Sequence, residues 1–166
     1  SSSLAEGTTN YMSERLTEII VRKFLKDKGY YDNPSIFVEE QLSKFKNIKL
    51  LLSKASKKKT GNAGYPEFII SSPSFPEYLI IIECKSNLSQ HQSNKFNDPQ
   101  NFNVDGCKWY SKFLSKSFNV ISFAITGKKK ENLKISSFVQ KKNKEFTKFK
   151  NDKNTSVSKI LPFSEL

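Results

Sequence analysis

The most constraining feature of this chain is an apolar run, Tyr78-Leu-Ile-Ile-Ile82, which is followed directly by Glu83-Cys-Lys85. The run has the length of a β-strand and falls far short of the roughly 18 residues that a membrane-spanning helix needs. A strand without alternation between apolar and polar residues is buried on both faces. The run therefore predicts a central strand whose charged end opens at an edge of its sheet.

Other segments predict helices and further strands around this one. Residues 1–10 are small and polar and are expected to be frayed, and apolar residues then recur at helical spacing from Ser13, the expected N-cap, to Gly29. The remaining expected elements are a second helix after Pro34 with the stripe Val38, Leu42, Phe45 and Ile48, a lysine-rich loop over 53–64, strands over 67–71 and 77–83, a loop over 87–103, a helix over 104–116, a strand over 120–125, and a surface strand or helix with a basic tail beyond residue 128. The order includes a strand–helix–strand crossover, which predicts an α/β fold with a mixed central sheet flanked by helices.

The length of 166 residues predicts a single domain. Its core is expected over about residues 13–127, followed by a basic C-terminal segment over 128–166. Because the chain does not begin with Met and does not end in a tail-like segment, we expect it to be a fragment of a longer protein. Cys84 and Cys107, the only cysteines, can form neither a disulfide framework nor a recognisable zinc pattern, so we expect a reducing, cytoplasmic setting.

The charge is strongly basic, with 28 Lys and Arg residues against 16 Asp and Glu and a net charge of +12. This excess indicates an anionic partner, with nucleic acid first and an anionic membrane surface second. A gene with a codon bias that raises Lys, Asn and Phe together is an alternative explanation of the lysine count. Arg15 and Arg22 are the only arginines.

Two carboxylates and a lysine are the candidate catalytic residues. Glu83 and Lys85 lie two residues apart at the end of the predicted central strand, so their side chains share one face. Glu67 begins the neighbouring strand, and a hairpin-like pairing brings it beside Glu83. Such a site suits phosphodiester hydrolysis with Mg²⁺, which takes carboxylate oxygens, and the backbone carbonyl of Cys84 is a further candidate ligand. The alternative is a solvated Glu-x-Lys ion pair, which is common at strand ends.

The order of several short segments resembles the PD-(D/E)xK nuclease superfamily, and more narrowly the N-terminal endonuclease domain of type IIG-like fused restriction-modification enzymes. The resemblance covers about residues 35–127 and is carried by Lys54-Ala-Ser-Lys, Gly64-Tyr-Pro-Glu-Phe-Ile-Ile, Leu79-Ile-Ile-Ile-Glu-Cys-Lys, His91-Gln-Ser, Asn103-Val-Asp-Gly-Cys-Lys-Trp-Tyr and Phe118-Asn-Val-Ile-Ser-Phe-Ala-Ile-Thr-Gly. It implies a restriction-endonuclease-like sheet, Mg²⁺ at Glu67 and Glu83 with Mn²⁺ as a substitute, and Lys85 at the attacking water. The chain has Glu67 where Asp is usual in the family.

Further residues are weaker candidates, each with a structural alternative. Glu18, with Glu14 as a competitor, is a possible extra acid from the first helix. His91, the only histidine, is a possible contact of the scissile phosphate or of Asp105, or the donor of a structural hydrogen bond. Asp105 and Tyr110 begin a helix beside the site, where Asp105 either orients Lys85 or caps the helix. The lysines of one run are candidate phosphate contacts or a solvated surface: Lys57, Lys58 and Lys59.

We therefore expect a Mg²⁺-dependent DNA endonuclease, the cleavage domain of a restriction-modification enzyme. The full-length protein is then expected to carry methyltransferase and specificity domains, and double-strand cleavage is expected to need either a homodimer or two visits. A non-catalytic nucleic-acid-binding module with the same fold and a repair or junction nuclease are the alternatives. No membrane partner is expected.

Overall fold

A computed structural model describes residues 2–166 of the chain, with side chains described from residue 13 onward. The helices are α1 (Ser2–Asp27), α2 (Lys46–Leu51) and α3 (Asn103–Leu114), and two short 3₁₀ helices cover Leu88–Gln90 and Phe163–Glu165. The strands are β1 (Phe37–Glu39), β2 (Phe68–Ser71), β3 (Tyr78–Lys85), β4 (Asn119–Thr126), β5 (Lys134–Gln140) and β6 (Phe146–Lys148). Within the described chain, no helix combines the length and apolar character needed to cross a membrane.

The six strands form one sheet in the order β1-β2-β3-β4-β5-β6. Strands β3 and β4 are parallel, in a register that runs from Tyr78↔Asn119 to Lys85↔Thr126, and the other neighbouring pairs are antiparallel. Parallel neighbours need a crossover connection, and α3 provides it. The predicted α/β fold with a mixed central sheet and flanking helices is confirmed.

Strand β3 divides the core into two layers, because its successive side chains point to opposite faces of the sheet. Ile80 and Ile82 pack on the face that carries α1, whereas Leu79 and Ile81 pack on the face that carries α2 and α3. All four side chains are at most 3% exposed. The prediction of a central strand buried on both faces is confirmed, and helices on both faces are the reason that the strand needs no polar alternation.

The prediction of a second helix after Pro34 is wrong over most of its length. Val38 lies in β1 and pairs with Ile70 of β2. Leu42 is 69% exposed, and α2 begins only at Lys46. The helical spacing of these apolar residues gave a wrong prediction because the strand partner of Val38, Ile70, is distant in sequence. Pairing with a neighbouring strand outweighs a weak local pattern.

The boundaries at the two ends of the chain also differ from the prediction. Helix α1 begins at Ser2, so Ser13 lies inside it and is not its N-cap. Beyond residue 128, β5 pairs with β4 and β6 pairs with β5. The first part of the basic segment therefore extends the sheet as strands, which was one of the two forms expected for it.

Candidate active site

Two carboxylates, those of Glu67 and Glu83, meet where β2 begins and β3 ends. The antiparallel register Phe68↔Ile82, continued by one position, sets Glu67 opposite Glu83. The backbone N–H of Glu67 donates a hydrogen bond to Glu83 Oε2 at 2.8 Å. The structure thus brings together the two acids that the sequence placed on neighbouring strand ends.

Glu83 is almost fully buried and is paired with Lys57, which the sequence predicts as a candidate phosphate contact. Its side chain is only 2% exposed, and Lys57 Nζ donates to Glu83 Oε1 at 2.9 Å. Burial alone lowers the pKa of Lys57, but the charge of Glu83 and its hydrogen bond raise that pKa overall, so the ammonium stays charged. An unpaired carboxylate at this depth is strongly unfavourable, and Lys57 provides the opposite charge.

The loop over residues 53–64 carries Lys57 to this position, and α3 holds the loop in place. Trp109 Nε1 donates to the carbonyl oxygens of Ala55 and Ser56, at 3.0 Å and 3.2 Å. Tyr110 is 2% exposed, and its hydroxyl oxygen accepts from the backbone N–H of Tyr65 at 3.2 Å. Burial raises the pKa of Tyr110. The structure therefore places Tyr110 beside the site as a support for the loop.

The environment of Glu67 favours its protonated form while the site holds no cation. Burial, followed by the charge of Glu83 and a hydrogen bond with Glu18, raises the pKa of Glu67 from 4.5 to about 9. Glu18 Oε2 also lies 3.4 Å from a guanidinium nitrogen of Arg22. Glu18 therefore contacts both the surface of α1 and the candidate site. The structure thus brings the candidate acid of the first helix to Glu67.

Lys85 lies on the same face of β3 as Glu83, but its contacts come from other parts of the chain. Its Nζ donates to the backbone carbonyl of Gln100 at 3.0 Å and forms an ion pair with Glu14 at 3.5 Å. Thr17 fixes α1 against this edge, because its hydroxyl donates to the carbonyl oxygen of Gly127 at 2.6 Å. The two acids of α1 therefore contact different residues of the site: Glu14 contacts Lys85, and Glu18 contacts Glu67.

The backbone carbonyl of Cys84 faces a position without a hydrogen-bond donor. The carbonyl of Lys85 accepts from Gly127 beyond β4, so the carbonyl of the preceding residue points towards β2. The register of β2 and β3, continued by two positions, sets Cys84 opposite Pro66. Proline has no N–H to donate. At this position the ladder would supply no N–H to the Cys84 carbonyl oxygen, which makes that oxygen a candidate ligand beside Glu67 and Glu83.

The carboxylate and carbonyl oxygens at this edge are of the chemical type that a small divalent cation takes as ligands. Mg²⁺ is usually bound by one or two carboxylates and keeps several waters. Repulsion between Glu67 and Glu83 helps to raise the pKa of Glu67, and a cation between them would relieve that repulsion. No group of three or more His, Cys, Asp or Glu side chains in the described residues is arranged to hold a metal. Water and substrate oxygens would therefore have to complete the coordination.

His91 and Asp105 have structural contacts in this fold. The ring nitrogens of His91 are hydrogen-bonded to Thr126 Oγ1 at 2.7 Å and to Ser136 Oγ at 2.8 Å. Asp105, in the first turn of α3, accepts from the backbone N–H groups of Ser93 at 3.1 Å and Asp98 at 2.9 Å. Asp105 thus orders the loop before α3. It does not cap the helix as expected, because Phe102 is the N-cap and Asp105 bonds to residues outside α3. None of these hydrogen bonds joins Asp105 to Lys85.

The lysine run of the 53–64 loop is divided between the site and the surface. Lys57 is half-buried against Glu83, whereas Lys58 and Lys59 are exposed. Lys59 Nζ donates to the backbone carbonyl of Asn97 at 3.3 Å. Lys58 and Lys59 thus remain available as phosphate contacts, and Lys57 is a component of the site itself. The sequence carried no signal for the Lys57–Glu83 pair, because a contact across 26 residues depends on the path of the loop.

Comparisons with protein-family models, with curated proteins and with solved structures give no significant match to this chain. The resemblance to PD-(D/E)xK nucleases therefore stays a prediction from the sequence. The grouping of Glu67, Glu83 and Lys85 at one sheet edge is the structural observation from which a function can be proposed.

Replacing Gly64 with alanine is expected to destabilise the protein by about 1–3 kcal/mol, as overpacking of a core does. A Cβ atom at this position would lie 2.3 Å from the backbone oxygen of Ala55 and 2.6 Å from the ring of Tyr110. Urea unfolding measures the loss. Gly106→Ala is the matched control, because its Cβ would come no closer than 3.3 Å to Glu83 Oε1. Equal stabilities for the two variants would contradict this packing.

Stability is expected to fall with pH between about 6.5 and 4, in part because of His91. Burial, followed by the charge of Lys134, lowers the pKa of His91 from 6.5 to about 4. Since the unfolded chain binds the proton more readily, the contribution is fully present above pH 6.5 and is lost towards pH 4. Partial exposure limits it to about 1–2 kcal/mol.

Urea unfolding at several pH values tests the role of His91. The slope of stability between pH 6.5 and 4 is expected to be shallower in His91→Gln than in the parent protein. An unchanged slope in that variant would show that His91 does not carry this part of the pH dependence.

Proposed function

We propose that this protein is a metal-dependent endonuclease that hydrolyses DNA phosphodiester bonds with Mg²⁺. The observation that carries the proposal is the meeting of Glu67 and Glu83 at one sheet edge, with Lys85 on the same strand and the same face. A buried carboxylate with a second, partly buried carboxylate close enough to have its pKa raised by the first is unfavourable for stability, and such arrangements are concentrated at functional sites. The net charge of +12 supports an anionic polymer as the substrate.

Each residue has a distinct part in the proposed reaction. Glu67 and Glu83 would hold the cation through their carboxylate oxygens, and the carbonyl oxygen of Cys84 would be a third protein ligand. When bound, the cation supplies a Lewis acid for the phosphate and lowers the pKa of a water. Lys85 orients that water and offsets the negative charge that grows on the phosphate oxygens in the transition state.

Lys57 forms an ion pair with Glu83 in the metal-free site. Its ammonium contacts Glu83 Oε1, one of the oxygens that the cation would use. The pair compensates the negative charge of Glu83 in the absence of metal, and Lys57 would share the Glu83 carboxylate with a bound cation. The same contact favours a second candidate function, a non-catalytic nucleic-acid-binding module in which lysine replaces the metal permanently.

The proposed setting is restriction, in which methyltransferase and specificity domains belong to the full-length protein. Lysine supplies point charge to phosphates, whereas guanine is usually read by arginine. The chain has only Arg15 and Arg22, and Arg22 is hydrogen-bonded to Glu40. Sequence recognition is therefore assigned to other parts of the protein. A repair or junction nuclease is the alternative setting.

Incubation of supercoiled and linear DNA with the protein tests the proposal. With Mg²⁺ or Mn²⁺, supercoiled DNA is expected to be converted to nicked and linear forms, and an excess of EDTA is expected to prevent this conversion. Binding of both DNA forms without cleavage under any divalent cation would support the non-catalytic module and contradict the nuclease.

Glu83→Gln is expected to weaken binding of Mn²⁺ by at least about tenfold, because it removes a charged oxygen ligand. Glu77→Gln is the matched control: the charge change is the same, but Glu77 is exposed just before the opposite end of β3. Isothermal titration calorimetry with Mn²⁺ measures both variants. Equal losses in the two variants, or no binding by the parent protein, would contradict the metal site.

A further inference from the structure

An open cleft of about 590 Å³ lies along α3. Its lining includes three aromatic side chains and four lysines: Phe96, Trp109, Phe146, Lys59, Lys108, Lys112 and Lys144. Lys59 of this lining belongs to the same 53–64 loop as Lys57, which contacts Glu83. The loop thus contributes a lysine to the cleft and another to the candidate active site.

The aromatic rings of the cleft are partly exposed, and ammonium groups lie close to them. The Nζ atoms of Lys59 and Lys112 lie 5.5 Å and 5.3 Å from the ring centre of Trp109. Lys108 Nζ lies 5.6 Å from the ring of Phe96. Flat aromatic surfaces and positive charges are therefore direct neighbours in the cleft.

The ring of Trp109 is held in place from inside the protein. Its only N–H donates to the carbonyl oxygens of Ala55 and Ser56. Phe146 is stacked on Phe138, with ring centres 4.5 Å apart, and so is fixed in the same way. Rigid rings of this kind lose little conformational entropy when a ligand stacks on them.

The charge of the cleft selects a polyanion. Two acids, Asp105 and Glu145, also belong to its lining. The four lysines of the lining outnumber these two acids, so the cleft has an excess of positive charge. Bases in a duplex stack on each other, so only an unpaired strand offers base faces to protein rings and phosphates to lysines at the same time.

We propose that this cleft binds single-stranded DNA, with unpaired bases stacked on Trp109 and Phe96 and phosphates held by Lys59, Lys108 and Lys112. The inference deepens the proposed function, on which it rests for the choice of DNA. Its test is a binding measurement in EDTA, where no cleavage takes place. A negative binding result for the cleft would therefore not change the interpretation of the cleavage assay. A negative cleavage assay would likewise not change the interpretation of the binding result.

Intrinsic fluorescence reports on the cleft directly, because Trp109 is the only tryptophan in the chain. The protein is titrated with an oligothymidylate of about 12 nucleotides, a length within the usual range for single-strand binding sites. Stacking is expected to quench the emission in a saturable way. A duplex of the same length is expected to bind with little quenching. No quenching by the single strand, or equal quenching by the duplex, would overturn the proposal.

Two pairs of variants separate the cleft from general attraction to DNA. Lys108→Gln with Lys112→Gln is expected to weaken oligothymidylate binding by about tenfold, and Phe96→Ala by a similar factor through lost stacking. The controls change exposed residues that lie away from the cleft, at the end of α1 and near the other face of the sheet. They are Lys26→Gln with Lys28→Gln for charge, and Phe75→Ala for an aromatic ring.

Each control is expected to change the affinity less than about twofold, since single-strand binding is carried by local stacking and phosphate contacts. Circular dichroism shows that each variant is folded before it is titrated. Equal losses in the cleft variants and in their controls would overturn the proposal. Tighter binding of an oligouridylate than of the oligothymidylate would overturn the choice of DNA.

Discussion

Lys85→Ala is expected to lower the rate of DNA cleavage by about a hundredfold or more, which is the usual effect of removing a group that stabilises transition-state charge. Lys85 sits at the end of β3 on the face of Glu83, and its ammonium is held by Gln100 and Glu14. Affinity for DNA is expected to stay within a few-fold, because one charge among 28 basic residues adds little to the overall attraction.

Single-turnover cleavage of supercoiled DNA and a separate binding titration in EDTA measure the two quantities. Lys49→Ala is the matched control, since Lys49 is an exposed lysine on α2. That control is expected to cleave at nearly the parent rate. If Lys85→Ala retained more than about a tenth of the parent rate, Lys85 would not be the charge-stabilising group.

Lys57→Met is expected to destabilise the metal-free protein by about 3 kcal/mol, near the lower end of the range for breaking a buried ion pair from one side. The variant leaves the carboxylate of Glu83 buried without its counter-charge, because Glu83 is 2% exposed on its side chain. Lys57 itself is 22% exposed, which moderates the effect. Urea unfolding at neutral pH in EDTA measures the loss.

The double variant Lys57→Met with Glu83→Gln isolates the interaction between the two charges. Its loss is expected to be smaller than the sum of the two single losses by at least about 1 kcal/mol, because no unpaired charge remains in it. Strictly additive losses, or a loss below about 1 kcal/mol in Lys57→Met alone, would contradict the idea that this pair holds the site together.

The central part of the fold and the pairing of the two acids were predictable from the sequence for local reasons. The run before Glu83 is long, apolar and followed by charge, so its burial and the position of its end follow from the run itself. Glu67 directly precedes a strand, β2, that is separated from β3 by a short turn, and consecutive strands of this kind usually pair. The register then sets the acids side by side.

The contacts that complete the site were not predictable, because they join segments that are distant in sequence. Lys57 reaches Glu83 only because α3 holds the 53–64 loop through Trp109. Glu14 reaches Lys85 across 71 residues, through the docking of α1 against the sheet. The spacing around Val38 predicts a helix wrongly for the same reason: its strand partner in β2 is distant in sequence.

The two outer strands of the sheet, β1 and β6, are only three residues long each. Two copies that joined their sheets edge to edge would gain few hydrogen bonds, and short outer strands are a common protection against such association. If the protein is the proposed nuclease, a symmetric pair that cuts both DNA strands is therefore expected to dock through helices or loops. If no such pair forms, one molecule would have to bind again for the second cut, and nicked circles are expected to accumulate before linear DNA appears.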